Sequence, residues 1–172
     1  MVAAHAWDAS TLSLRLIEAR NRTLAWLAAF EEDTPARRDA RRLVARAGWW
    51  MEHWIVRNVQ AQRGEACDPA LPRLASIDPA LVTAVETGAE PPAEGLRAYL
   101  AETLESVLEL LAGARGDDAA LYFYRLAWLH EDRIAERLAE LAEAADLAGA
   151  PWPPTPGRAE RPPLWLPAQR FM

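Results

Sequence analysis

A chain of 172 residues is long enough for one compact domain with a real core. Its 51% hydrophobic and 26% charged residues exclude a disordered chain. The net charge of -6 argues against a nucleic-acid partner, whose affinity needs phosphates neutralised by basic groups.

The opening stretch, MVAAHAWDAS, lacks a basic segment leading into an apolar run, so a signal peptide is not expected. No stretch approaches the roughly 20 apolar residues of a membrane helix. The default expectation is therefore a cytoplasmic protein with no membrane partner. Cys67 is the only cysteine, so no intrachain disulfide can form.

Helical periodicity marks four segments. The first runs from about Ser10 to Phe30, with Leu16, Leu24, Leu27 and Phe30 among its apolar positions and Asp8 or Ser10 as its cap. The second runs from about Pro35 to Gln62, with Pro35 in the first turn and Leu43, Ala47, Trp50 and Trp54 forming one stripe. The third, about Pro92 to Leu111, aligns Leu96, Leu100, Leu104, Val107 and Leu111. The fourth, about Asp117 to Leu147, aligns Leu126, His130, Ile134, Leu138 and Leu141.

A connection of about residues 63–91 separates the second and third segments, with PALVTAVE as a short helix inside it. The other connections are short. Four amphipathic helices with one long crossover predict an all-α four-helix bundle with an up-down-down-up path. Residues 150–163 hold six of the thirteen prolines and cannot continue a helix. They predict a linker after a bundle of residues 1–149, leading into LWLPAQRFM (residues 164–172), which has the character of a strand. Such a linker suggests that a further domain normally follows.

Three stretches carry residues with chemical potential. In LHEDRIAERL, His130 lies on the apolar stripe, and a second imidazole one turn on would complete a pair about 40° apart around the helix axis. Ile134 stands there instead and has no lone pair. A lone His on such a stripe is more often a hydrogen-bonded core residue than a ligand. In RAGWWMEHWIVRN, His53 follows Arg46 by seven residues and could approach His130 if the two helices are neighbours. The phase of Glu52 and Glu131 sets them largely away from the stripe. Two imidazoles and a carboxylate are a minimal set for non-haem iron, but no third ligand is assigned. The basic run RRDARR follows Glu31, Glu32 and Asp33, and reads as a solvated first turn with local ion pairs. Cys67, in a Pro- and Asp-rich loop with no His nearby, reads as a free thiol.

RAGWWMEHWIVRN and LYFYRLAWLHEDRIAE together resemble the N-terminal DinB-like domain of the ergothioneine synthase and selenoneine synthase family, closer to the selenoneine type, over about residues 10–172. The resemblance implies a DinB-like four-helix bundle preceding a domain similar to the formylglycine-generating enzyme. The family's bundle supplies three His ligands to Fe(II), which uses O₂ to join sulfur or selenium to the imidazole ring of hercynine. In the family the first ligand is followed by Trp at +3, an aromatic at +4 and Glu at +6. Trp49, Trp50 and Glu52 match those followers, so the ligand position is Arg46. The other two ligands form an H-E-x-x-H-like pair. His130 and Glu131 match its start, and Ile134 stands at its end.

One of three ligands therefore remains. A permanent cation at Arg46 and a hydrocarbon at Ile134 both act against a bound divalent ion. The expectation is a degenerate iron site without independent catalysis, in a module that packs against a formylglycine-generating-enzyme-like domain or chain, or against a second copy of itself. Two alternatives follow from the same resemblance. One is an active iron component in ergothioneine or selenoneine biosynthesis, using His130 and His53. The other is a DinB-type metal-dependent thiol transferase, which needs the same three imidazoles.

Overall fold

The computed structural model describes residues 8–147. The expected Pro-rich linker and terminal strand lie outside the described residues. Among those residues there are five α-helices and no strand: α1 (Ala9–Ala29), α2 (Pro35–Met51), α3 (Pro79–Thr87), α4 (Leu96–Ala112) and α5 (Asp118–Ala144).

Local chemistry explains where most of these helices start. An N-terminal helical turn leaves four N–H groups unpaired, and a short polar side chain just ahead can accept from one or two of them. Asp8 accepts from Thr11 N at 2.7 Å, Thr34 from Arg37 N at 3.1 Å, and Asp117 from Ala120 N at 2.9 Å. Asp78 accepts from both Ala80 N and Leu81 N at 3.0 Å, and so caps α3, the short helix expected at PALVTAVE. Pro35 and Pro79 sit in the first turns of α2 and α3, where a missing N–H costs nothing.

The core falls into two clusters, and together they fix the path of the chain. One joins Leu27 and Phe30 at the end of α1, Ala40 and Val44 early in α2, Leu96 and Leu100 early in α4, and Ile134 and Leu138 late in α5. The other joins Leu12 and Leu16 of α1, Met51 at the far end of α2 and Ile55 just beyond it, Val107 and Leu111 of α4, and Leu121 and Ala127 of α5. Helices α1 and α5 thus run one way and α2 and α4 the other. The path is up-down-down-up, with the long crossover between α2 and α4.

Three expectations need correction. The second helix does not continue to Gln62. It ends at Met51 and widens into a π-turn at Glu52–Val56, where Arg57 N donates to Glu52 O at 2.8 Å, five residues back. A 3₁₀ segment, Ala61–Ala66, follows and seats the crossover against the start of α5. Gly64 permits that approach. It has φ +56° and ψ -130°, and a Cβ there would lie 2.6 Å from the Ala119 carbonyl oxygen.

The second correction concerns the apolar stripes. Along α2 and the π-turn that follows it, the buried line is Ala40, Val44, Ala47, Met51 and Ile55, whereas Leu43, Trp50 and Trp54 are half-buried beside it. On α5 the buried line is Tyr124, Ala127, Glu131, Ile134 and Leu138, whereas Leu126, His130 and Leu141 flank it. Apolar residues cover a sector wider than one line, so several stripes fit the sequence, and only the neighbouring helices select the centre.

Third, RRDARR is not simply a solvated turn. Arg37 is buried and donates to the Leu27 and Phe30 carbonyls at the end of α1, and its guanidinium pairs with Glu32 at 2.5 Å. Arg41 reaches Glu90 of the crossover, while Arg42 makes the expected local pair with Asp39 at 2.7 Å.

Candidate functional site

The centre of the bundle is polar. Arg20 of α1 grips Glu131 of α5 with two hydrogen bonds, Nε to Oε1 at 2.5 Å and Nη2 to Oε2 at 3.0 Å. Its Nη1 donates to the Leu100 carbonyl at 2.6 Å, and Nη2 also lies 3.2 Å from Met51 Sδ. Glu52, on the π-turn, is a second fully buried carboxylate. It accepts from Tyr99 Oη at 2.6 Å and from Ile77 N at 2.7 Å. Both carboxylates therefore face inward, contrary to the phase expected for them. Burying a charge is tolerable only with a partner, and each has one. Burial and the hydrogen bond to Glu52 push the Tyr99 hydroxyl far above its ordinary range, so it remains a donor.

Sequence reasoning missed Arg20, although a signal was present. Leu16, Arg20, Thr23 and Leu27 recur at 4-3-4 spacing, which puts the guanidinium on the apolar line of α1. Tyr124, Ala127, Glu131, Ile134 and Leu138 give Glu131 the same kind of placement on α5.

An aromatic wall closes the side between α2 and α5. His130 stacks on Trp50 with centroids 5.4 Å apart, Trp50 meets Trp54 at 6.4 Å, and Trp54 stacks on Phe123 at 5.6 Å. His53 stacks on Trp49 at 4.7 Å and meets Trp54 edge-on at 5.0 Å. The guanidinium of Arg73 lies over the Trp54 ring at 4.8 Å. The two imidazoles thus pack on different indoles.

Each histidine is half-buried and holds one ring nitrogen, His130 Nε2 and His53 Nδ1, buried without a well-formed hydrogen bond. Burial lowers the pKa of both. For His130 the Glu131 carboxylate pulls the other way, as does the Arg46 backbone, while the charges of Arg133 and Arg46 add to the lowering. For His53 the charges of Arg73 and Arg57 reinforce burial. Both rings are neutral at neutral pH, the form that can ligate a metal or accept a proton.

His130 meets α2 beside Arg46, where its ring stacks on Trp50, and both the charge and the backbone of Arg46 act on its pKa. The Arg46 side chain itself is exposed and lines the α2–α5 groove with Arg42, Leu43, Arg137 and Leu141. Ile134 is buried in the core. His130 opens onto a neighbouring hollow of about 520 Å³ with Trp50, Leu129, Asp132 and Glu136. Among the described residues, no three His, Cys, Asp or Glu side chains are grouped so as to hold a metal ion. The donors present do not fit Fe(II): Glu131 is engaged by Arg20, Glu52 by Tyr99, and Ile134 offers no lone pair. Cys67 is half-buried, and its sulfur accepts from Asn58 Nδ2 at 3.3 Å.

Fold and site together define an all-helical bundle with a satisfied buried ion pair and an aromatic side wall. No described helix is long and apolar enough to cross a membrane. No protein-family model matches the chain, and no curated protein matches it at a significant level.

Proposed function

We propose that this bundle is a DinB-like module of a selenoneine- or ergothioneine-synthase-like protein whose iron site has degenerated. Its role is then to pack against a formylglycine-generating-enzyme-like domain or chain, or against another subunit. The observation that carries this reading is that His130 of α5 meets α2 at the turn next to Arg46: its ring stacks on Trp50, four residues beyond Arg46, with centroids 5.4 Å apart. The resemblance assigns a ligand to each of those two positions, so their meeting supports its frame while only one donor remains.

Metal analysis tests the reading directly. Protein purified anaerobically with added Fe(II) is expected to retain far less than one equivalent of iron. Stoichiometric iron that is lost in His130→Ala overturns the proposal. The double variant Arg46→His/Ile134→His is expected to gain close to one equivalent. A folded double variant that still binds no metal means that the ligand frame is misplaced.

A further inference from the structure

The end of α5 is built to turn the chain back over the bundle. Leu147 N donates to Ala142 O, and Ala145 N to Leu141 O, both at 3.0 Å, while Asp146 takes the left-handed conformation at φ +54°. This type of helix ending reverses the chain and brings the first residue beyond it onto the helix's own apolar face. Leu147 does so: it is half-buried against the core cluster of Leu27, Phe30, Ile134 and Leu138.

Leu147 thereby becomes one wall of a groove of about 550 Å³ between the α1–α2 turn and the end of α5. The floor and sides are Phe30, Pro35, Ala36, Leu141, Ala144 and Ala145. The rim carries Glu31, Asp39 and Asp146, and no basic residue lines it. Asp39 is partly neutralised by Arg42, at 2.7 Å. An apolar floor under an acidic rim calls for an apolar side chain in a basic context.

The chain that leaves this groove has that chemistry. Five residues beyond Leu147 comes Trp152, flanked by Pro151, Pro153 and Pro154. Five residues span at most about 17 Å, enough to cross the groove and return an indole into it. Residues 148–172 carry Arg158, Arg161 and Arg170 against Glu160 alone. Prolines on both sides reduce the freedom that the segment must give up on docking. The other end of the chain is a poor rival. Residues 1–7 adjoin the start of α1, and the groove lies at its far end, about 31 Å away for 21 residues. Seven extended residues span only about 23 Å.

We propose that Trp152 docks into this groove, so that the Pro-rich segment is anchored to the bundle at the α5 end. Whatever follows the segment is then held at that end. The inference rests on the groove and the turn, and is independent of the iron-enzyme resemblance.

Amide hydrogen exchange on the full chain tests it, read at residues 141–147 and 31–39. Trp152→Ala is expected to raise exchange there about fivefold or more, because docking closes the local opening that exchange requires. Ala145→Arg, an exposed position in the groove, is expected to do the same without altering the segment. Trp165→Ala should match the parent chain. Unchanged exchange in Trp152→Ala overturns the proposal, as does an equal effect from Trp165→Ala alone. Protection that grows with protein concentration also overturns it, by assigning the groove to a second copy.

Discussion

Arg20 and Glu131 are the residues on which the centre of the bundle turns. Their pair is fully desolvated, so removing one partner strands a charge. Arg20→Ala or Glu131→Ala is expected to cost about 3–5 kcal/mol in urea unfolding. The double replacement Arg20→Met/Glu131→Leu should recover most of that loss, since an apolar pair of similar volume leaves no charge unpaired. A second expectation concerns His53 and His130, whose folded pKa values lie below the ordinary 6.5. The unfolded chain binds protons on these rings more readily. Their contribution to stability is therefore fully present above pH 6.5 and is lost as pH falls from there through the lower folded values. A thermal melt series from about pH 7 to pH 5 should show a falling midpoint. The His53→Gln/His130→Gln variant should show a flatter one. At this scale the sequence was only partly legible. His130, Arg46 and Ile134 stood out as types, but the partner of Glu131 lies 111 residues away and no local pattern pairs them.

Among the elements, the long helices were readable because their causes are local: caps, a first-turn proline and unbroken 3.6-residue periodicity. The end of α2 was not. Apolar residues continue past Met51 at helical spacing, so nothing in the pattern stops the helix. What changes its course is the π-turn, whose Glu52 is held by Ile77 N in the crossover and by Tyr99 of α4. Both partners are distant in sequence. The crossover depends on Gly64 in the same way, through a close approach to Ala119. Gly64→Ala combines an unfavourable backbone with a clash against main-chain atoms, and is expected to cost about 3 kcal/mol. Gly113 offers a contrast, since a Cβ there meets nothing nearer than 3.8 Å. Gly113→Ala should leave unfolding within about 0.5 kcal/mol of the parent chain.

For the whole molecule, the buried carboxylates Glu52 and Glu131 are already engaged by protein donors, so no ion is required to neutralise them. Dialysis against EDTA is expected to leave the thermal midpoint within about 1 °C, and added Fe(II) should not raise it. A rise of several degrees with Fe(II) means that the native state binds the ion after all. The Arg46→His/Ile134→His variant, by contrast, should gain stability with Fe(II), because binding to the native state alone shifts the folding equilibrium.

The sequence by itself determined the helical class, the four long helices, the short helix in the crossover and the up-down-down-up path. Those follow from periodicity, capping and connection length, all local properties. Tertiary structure alone decided which line of each helix is central. It paired Glu131 with Arg20, turned the tryptophans and His130 to a side wall, and ended α2 at a π-turn. The physical reason is that a buried charge or a half-buried ring depends on what the opposite helix presents. His130 shows the difference most plainly: its spacing suggested the core, and its neighbours put it at the edge, with a buried carboxylate one residue on taking the centre.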